Sequence, residues 1–292
     1  MKQLITLLAT AIFYLNVNAQ TDTTARPTPD TIRIGGMIIV KHGKPNKGTE
    51  VNISRKNKTR RRNANVSTNW WIIDLGFSNY SDKTNYATAT SDQYLVNRPG
   101  SSLPLGISDF KVKNGKSINV NIWAFMQRVN LIGHYVNLKY GLGVELNNYR
   151  YNSDITYKQS GTAPYAGAAA IAHGYVIRDS ISFSKNKLAA DYLTIPLMLN
   201  FITSPDHPKN GLNFSAGVSA GYLYSQRNKQ KSSERGKQHN KGEYDLNRFK
   251  ISYIGDIGFG PIHIYGSYSP QSFYEKSLDM RPYTVGLRFS NW

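Results

Sequence analysis

The stretch YVNLKYGLGVELNNYRY, residues 135–151, decides the fold. Its even positions from Val136 to Leu146 are apolar or aromatic, whereas its odd positions from Asn137 to Asn147 are polar, charged or glycine. Successive side chains of a β-strand point to opposite faces, so this alternation predicts one apolar and one polar face over about 12 residues. An α-helix would scatter both sets around its circumference.

Seven other segments repeat the alternation, which predicts an all-β chain. In 116–130 the apolar face runs from Ile118 to Met126, but Trp123 and Phe125 fall on the polar face. The eight predicted strands are 70–80, 116–130, 135–151, 188–202, 212–226, 248–259, 262–269 and 282–290. We expect them to form an eight-stranded antiparallel up-and-down transmembrane β-barrel.

Composition excludes several classes of protein. The chain has 292 residues, no cysteine, and 36 Lys and Arg against 18 Asp and Glu, a formal charge of +18. The absence of cysteine excludes a disulfide scaffold, thiolate metal sites, cysteine nucleophiles and a lipidated N-terminal cysteine. A mean hydropathy of −0.46 argues against a helical membrane protein.

The chain before the first predicted strand divides into two parts. Residues 1–19 have the charged start, apolar run and small residues before Gln20 that are typical of a cleaved signal peptide. Residues 20–69 form a predicted periplasmic leader, mostly disordered and basic, with one small hairpin in 32–40. Its linker, 41–62, carries nine Lys and Arg against one acid. The most basic part of that linker is Arg55, Lys56, Lys58, Arg60, Arg61 and Arg62. Residues 70–292 are the predicted barrel.

The polar face of the strands carries charges in mid-strand, which favours a membrane barrel over a soluble β protein. Burying one such charge alone costs several kcal/mol, whereas charges that line a narrow lumen can pair across it. A secreted soluble β protein remains the alternative. The predicted lumen network is Asp74, Lys139, Glu145, Lys250, Asp256 and Arg288.

The connections between strands alternate in length. The long ones are 81–115, 152–187, 227–247 and 270–281, and the intervening ones are 131–134, 203–211 and 260–261. Long loops at one end and tight turns at the other are typical of outer-membrane barrels, and an even strand count places both chain ends at the periplasmic face. Aromatic residues near strand ends predict interfacial girdles. These are Trp70, Trp71, Tyr80, Trp123, Tyr149, Tyr151, Tyr192, Tyr283 and Trp292.

Eight strands enclose only enough space for their own side chains. We therefore expect Lys139, Glu145, Asp256 and Arg288 to fill the lumen. Trp123 or Tyr192 could point inward and help to fill it, which is the alternative to a position in the girdle. The prediction is a barrel that is not a general diffusion pore.

Several motifs resemble the PorT-like (porin-like) outer-membrane β-barrel proteins of Gram-negative bacteria. They are DLGFSNY (74–80), QRVNL (127–131), LKYGLGVELNNY (138–149), YLTIPL (192–197) and YTVGLRF (283–289). The resemblance covers about 70–292 and implies an eight-stranded barrel without catalytic residues. In some relatives it implies a role in outer-membrane assembly or secretion.

The last predicted strand carries the expected signal for the barrel assembly machinery. Its outward phase is Tyr283, Val285, Leu287 and Phe289, so Trp292 lies one step out of phase. Either residues 290–292 extend past the strand or a bulge resets the phase.

The sequence predicts no metal site, no cofactor and no catalytic residue, because no histidine pair has the spacing of a zinc motif. An alternative function is that of a lipid-modifying hydrolase, whose catalytic triad would be Asp256 and His263 with Ser252 or Ser267. Ser267 lies four residues from His263, roughly 13 Å along a strand, whereas a nucleophile and its base must lie about 3 Å apart. A hydrogen-bonded lumen network is the preferred interpretation.

The remaining expectations concern partners. We expect a structural role, or binding of ligands or partners through long extracellular loops, in contact with outer-membrane lipid and lipopolysaccharide. A periplasmic or surface protein partner is also expected. The alternative function, an accessory in outer-membrane assembly or secretion, predicts that residues 20–68 capture that partner. Export across the inner membrane separates the protein from the usual nucleic acid partners of basic segments, so we expect no nucleic acid partner. The predicted basic external loop is Arg227, Lys229, Lys231, Arg235, Lys237 and Lys241.

Overall fold

Eight long strands pair side by side around a closed ring in the computed structural model of this chain. The model describes residues 31–34, 37–40, 52–55, 64–100, 103–164, 170–205 and 211–290. The strands are β1 (Val66–Asp82), β2 (Ile118–Ile132), β3 (Val136–Arg150), β4 (Lys185–Ile202), β5 (Leu212–Ser232), β6 (Phe249–Phe259), β7 (Ile262–Tyr268) and β8 (Met280–Phe289).

Each strand pairs antiparallel with the next one along the chain, and β8 returns to β1. The pair Leu287 and Leu75 belongs to this last ladder, which closes the ring and leaves no free sheet edge among the eight strands. The predicted eight-stranded antiparallel up-and-down barrel is confirmed. Its boundaries differ from prediction by at most a few residues, except that β5 continues to Ser232 rather than ending at 226.

The apolar face of the strands points out of the barrel. On β4 the side chains alternate from exposed Leu193 to buried Ile202, and exposed Leu197 lies between buried Pro196 and Met198. An apolar belt of this extent is stable against lipid and not against water. No helix among the residues that the structure describes is long and apolar enough to cross a membrane.

A bulge on β2 corrects one predicted phase. Trp70 pairs with Phe125 and Ile72 with Trp123, so Trp71 and Ala124 lie opposite each other, and Ala124 is one residue too many against β3. One extra residue reverses the faces beyond it. Trp123, before the bulge, keeps the inward phase of Asn119 and Asn121. Beyond the bulge Met126, predicted to face lipid, is buried inside, while Phe125 shares the outer face with Trp70. The inward residues Ile72, Trp123 and Met126 form one small apolar cluster.

The connections at the outer end, where the long loops lie, contain short elements of their own. They are an α-helix at Tyr86–Ser91, a 3₁₀ turn at Asn114–Lys116, and strands Leu95–Val96, Ile155–Lys158, Gly161–Thr162, Ala170–Ile171, Tyr175–Arg178 and Gly236–Lys241. Leu95–Val96 pairs in parallel with Val176–Ile177, which joins the first long loop to the second. Asn85 caps the helix by accepting hydrogen bonds from two backbone N–H groups.

The chain before the barrel forms a separate unit. Thr31–Ile34 pairs with Met37–Val40, at the position of the predicted hairpin, and Met37–Val40 pairs with Asn52–Arg55. Residues 52–55 thus form a strand within the predicted basic linker. The predicted signal peptide 1–19, most of the leader and Trp292 lie outside the described residues.

Candidate functional site

The half of the lumen nearer the tight turns contains an ion-pair network around Arg288. Its guanidinium donates to both carboxylate oxygens of Asp74, at 2.7 and 2.8 Å, and to Asp256 at 2.8 Å. Lys139 Nζ reaches the same Asp256 carboxylate at 3.0 Å. The indole N–H of Trp123 donates to Asp74 at 2.7 Å. These charged side chains are almost fully buried, so each carboxylate is satisfied entirely by protein donors.

A second ion pair lies nearer the outer end. Lys250 Nζ donates to Glu145 and lies 4.5 Å from the ring centroid of Tyr192, a cation–π contact. Asn147 donates to the same carboxylate at 3.0 Å and accepts from Asn119 at 2.9 Å.

One asparagine bridge joins the two ion-pair clusters. Asn119 also donates to Asn121 at 2.9 Å, and Asn121 donates to Asp74 at 3.1 Å. The phenol of Tyr265 donates to Asn119. The structure thus places all six residues of the predicted lumen network inside the barrel, as three carboxylates and three cations connected by polar side chains. The asparagines were missed, although their inward phase in the sequence identifies them.

Among the described residues, the lumen has no Ser–His contact of the kind that a hydrolase needs. His263 Nδ1 lies 3.2 Å from Asp256 Oδ1, but within the described chain no group hydrogen-bonds to buried His263 Nε2. Ser215, not Ser252 or Ser267, donates to Asp256, at 3.1 Å. No group of residues suited to a metal ion occurs in the part of the chain described here.

The four long connections share one aromatic core above the barrel, which we call the outer cap. Its buried members include Tyr94, Leu95 and Phe110 from the first connection, Tyr151, Ile155, Tyr157 and Val176 from the second, Tyr244 and Leu246 from the third, and Phe273, Tyr274 and Leu278 from the fourth. This core could not be predicted from the sequence, because its rings meet only in the folded chain.

Tyr157 lies at the centre of the outer cap. Its hydroxyl is 2.7 Å from the hydroxyl of Tyr151 and 2.6 Å from that of Tyr274. Burial raises the pKa of Tyr151 to about 12, and burial together with the neighbouring Tyr151 raises the pKa of Tyr157 well above its ordinary value. Neutral phenols can share these hydrogen bonds, whereas a phenolate here would be desolvated.

Most of the predicted aromatic girdle is wrong, and the outer cap is the reason. Of the described members, Trp70, Trp71 and Tyr283 are exposed on the outer face. The others are buried: Tyr80, Tyr149, Tyr151 and Tyr192 belong to the cluster that includes the outer cap, and Trp123 lies in the lumen. The alternative position predicted for Trp123 and Tyr192, inward beside the lumen charges, is confirmed. An aromatic residue near a strand end can face lipid or support a loop, and position along the strand does not distinguish the two.

Ion pairs fasten the connections to one another. Arg178 of the second connection donates to both oxygens of Asp109 in the first, at 3.1 and 2.6 Å. Arg235 donates to Asp179 at 2.9 Å and so ties the third connection to the second. A cleft of about 570 Å³ opens at the outer end of the barrel. Its lining includes Asn79, Tyr80, Lys111, Lys113, Asn114 and Asn152.

The predicted basic external loop is instead a β-hairpin, because β5 continues past the barrel and pairs with Gly236–Lys241. Arg227, Lys229 and Lys231 lie on β5, and Lys237 and Lys241 lie on the returning strand. Arg227 also pairs with Asp191. Alternation past residue 226 is polar on both faces, so the apolar pattern could not indicate the extension.

The predicted assembly-signal side chains share the outer face of β8. Tyr283, Val285, Leu287 and Phe289 are all exposed there. Of the predicted basic linker, Arg55 ends the strand Asn52–Arg55, and the other five residues lie outside the described ranges.

Comparison with known proteins adds one family match. A family model described as "Outer membrane protein beta-barrel domain" matches residues 101–271. No curated protein matches the chain.

Several solved structures resemble the chain weakly, and three of them are as follows. One is Ail, the attachment invasion locus protein of Yersinia pestis, with 10% identity over 76% of this chain and 97% of that one, at a TM-score of 0.29. The same protein in complex with the heparin analogue sucrose octasulfate matches at 13% identity, with the same coverage and TM-score. A structure described as "Asymmetric conductivity of engineered proteins" matches at 11% identity over 77% and 99%, with a TM-score of 0.16. Likeness at these TM-scores supports no inference about function.

Proposed function

Because the chain belongs to the outer membrane protein β-barrel domain family, we propose that this outer-membrane barrel anchors the outer cap and presents it to a ligand or partner. The barrel serves as a structural support in this proposal and not as a general diffusion pore. The finer expectations belong to the same proposal: membership of the PorT-like group, export by cleavage of the signal peptide 1–19, and recognition of β8 by the barrel assembly machinery.

The observation that carries this proposal is the single aromatic core shared by all four long connections. Loops that bury their aromatic side chains against one another hold a fixed outer surface, and fixed surfaces bind partners at a lower entropic cost than mobile loops. The outer cleft of about 570 Å³ lies on this surface.

The lumen supports the same conclusion. Three carboxylates and three cations inside the barrel are bound to one another, and the apolar cluster of Ile72, Trp123 and Met126 adds to the filling. A solute would have to break several buried ion pairs to pass. We therefore propose that the protein does not conduct ions.

Planar-bilayer recordings of the refolded full-length protein test the proposal. We expect no single-channel current steps. Stable steps of porin size would show an open lumen and overturn the proposed role.

Cysteine labelling on intact cells tests which end faces outward, because the wild-type chain has no cysteine and gives no background. We expect Lys237→Cys, on the outer hairpin, to react with a membrane-impermeant maleimide. Tyr135→Cys, in the tight turn between β2 and β3, is the matched control and should react only after the membrane is permeabilised. The reverse pattern would place the outer cap in the periplasm and overturn the proposal.

We also propose that the protein is not an enzyme. The free Nε2 of His263 within the described chain supports this, because a serine hydrolase needs a nucleophile in contact with that nitrogen. Equal and negligible acyl-ester hydrolysis by wild type and His263→Ala is the expected result. Activity that His263→Ala abolishes in a folded barrel would establish the hydrolase alternative.

A further inference from the structure

Six cations face outward in two rows across the outer ends of β3, β4 and the β5 hairpin. We call this set the basic grid: Arg150, Lys185, Lys187, Lys229, Lys231 and Lys237. Arg150 pairs with Lys187, and Lys187 pairs with Lys229, which makes one row. Lys185 pairs with Lys231, and Lys231 pairs with Lys237, which makes the other. Directly opposed residues share one face of the sheet.

The alternate residues on these strands fix the direction of that face. Asn186, Asn228 and Gln230 are buried, and they hydrogen-bond inward to one another and to the strand Ile155–Lys158. The lysines between them therefore point out of the protein, toward the surroundings of the barrel.

Like charges directly opposite one another destabilise a sheet, so the basic grid lowers the stability of the chain alone. Among the ion pairs of the described residues, none involves a member of the grid, and the nearby carboxylate of Asp191 pairs with Arg227 instead. An external anion would remove this repulsion.

The height of the grid identifies the anion. On β4, Lys187 lies six residues above Leu193, where the exposed apolar belt of that strand begins. Six residues span roughly 20 Å along a strand, or about 14 Å of height at the tilt of such barrels. Lysines at this level lie beside the phosphorylated sugars of an outer leaflet of lipopolysaccharide.

The surface between the belt and the grid fits the same molecule. Tyr222 and Tyr224 are exposed on β5, and a cleft of about 590 Å³ opens beside them. Lys241 also lines that cleft, together with Arg248 and its partner Glu243. Aromatic side chains next to cations suit the boundary between acyl chains and charged sugars.

The described part of the β1–β8 ladder lacks this arrangement. Its outermost outward-facing pair is Ser81 with Arg281, and Arg281 pairs with Asp279. Rows of directly opposed cations thus mark the side of β3, β4 and β5, which points to a localised lipid site there.

From these observations we propose that the basic grid binds the phosphates of one lipopolysaccharide molecule in the outer leaflet. The proposal rests on the proposed function in one respect, since the outer cap must face the cell exterior. Neighbouring strands lie about 4.8 Å apart, so two or three lysines can reach one phosphate and take the place of the divalent cations that otherwise bridge such groups.

The test uses the full-length protein in detergent micelles and a fluorophore-labelled, phosphorylated deep-rough lipopolysaccharide, with EDTA present. Binding is read by fluorescence anisotropy. We expect the triple variant Lys185→Gln/Lys187→Gln/Lys229→Gln to bind about tenfold more weakly or worse, given the contribution of each cation near an anionic surface. The matched control, Lys83→Gln/Lys116→Gln/Lys276→Gln, removes the same charge outside both the grid and the two clefts and should bind as the wild type does.

Two further ligands define the specificity. Dephosphorylated lipopolysaccharide should bind the wild type as weakly as the phosphorylated form binds the triple variant. Phosphatidylglycerol vesicles should not distinguish the triple variant from its control. If both triple variants lose affinity equally, or if vesicles reproduce the difference, the grid is a general anionic surface and the proposal is overturned.

Failure of this proposal is distinguishable from failure of the proposed function. Gel mobility before and after heating reports whether each variant retains its barrel, and maleimide labelling reports which end faces outward. Unchanged lipopolysaccharide binding by a correctly oriented, folded triple variant would overturn the lipid site alone.

Discussion

The lumen and the outer cap are both buried, yet they are built from opposite kinds of side chain. The lumen joins Asp74, Arg288 and Asp256 by ion pairs, whereas the outer cap packs tyrosine rings around Tyr157. The outer cap stands beyond the lipid, so burying apolar surface away from water can stabilise it. The barrel wall already gives its apolar face to lipid, which leaves polar groups to face inward and satisfy one another.

This contrast predicts that the two regions fail differently. Loss of a charge in the lumen should destabilise the whole barrel, because its network connects many strands. Loss of a ring in the outer cap should loosen the connections and leave the barrel closed.

The largest effect is expected for Arg288→Ala. The change removes both bonds to Asp74 and the bond to Asp256, which leaves buried carboxylates with fewer partners. We expect a loss of about 4 kcal/mol in the free energy of unfolding, measured by denaturant titration in detergent micelles. Arg248→Ala is the control, since that side chain pairs with Glu243 at the exposed surface and should leave stability unchanged. If Arg288→Ala and Arg248→Ala lower the free energy of unfolding by equal, small amounts, the lumen network does not stabilise the barrel.

The next effect belongs to the outer cap. Tyr157→Ala removes a fully buried ring and both hydroxyl contacts, and we expect about 3 kcal/mol of local destabilisation. Trypsin should then cut the long connections faster, while the heat-dependent gel shift of the barrel stays normal. A barrel that loses its gel shift together with the outer cap would show that the two regions unfold as one.

Alkaline pH should weaken the outer cap in a defined window. An unfolded tyrosine loses its proton near pH 10, whereas burial raises the pKa of Tyr151 to about 12. The unfolded connections therefore release protons first, so the stabilisation present below pH 10 is lost as pH rises to 12. A difference of two pH units between the folded and unfolded pKa values of Tyr151 corresponds to about 2.7 kcal/mol in the free energy of unfolding. Absorbance near 295 nm reports the formation of tyrosinate, and near-UV circular dichroism reports the packing of the tyrosine rings. We expect the packing to be lost in this pH window. Packing that is unchanged up to pH 12 would contradict the prediction.

The barrel could be predicted from sequence because period-two alternation is a local property of each strand. The outer cap could not, since its contacts join distant loops: Tyr94 donates to the carbonyl of Tyr244 at 3.0 Å, 150 positions along the chain. The bulge at Ala124 could not be predicted either, because an extra residue shows only against the register of a partner strand.

The smallest effect should come from the ion pair that fastens two connections. Arg178→Lys keeps the charge but loses the forked contact with both oxygens of Asp109. Arg178 is partly exposed, so we expect a loss of about 1 kcal/mol or less, confined to the outer cap. Hydrogen exchange should rise at Val176 and Ile177, whose strand pairs with Leu95–Val96, and stay unchanged in β1 to β8. Faster exchange in the barrel strands as well would show that the outer cap and the lumen are coupled after all.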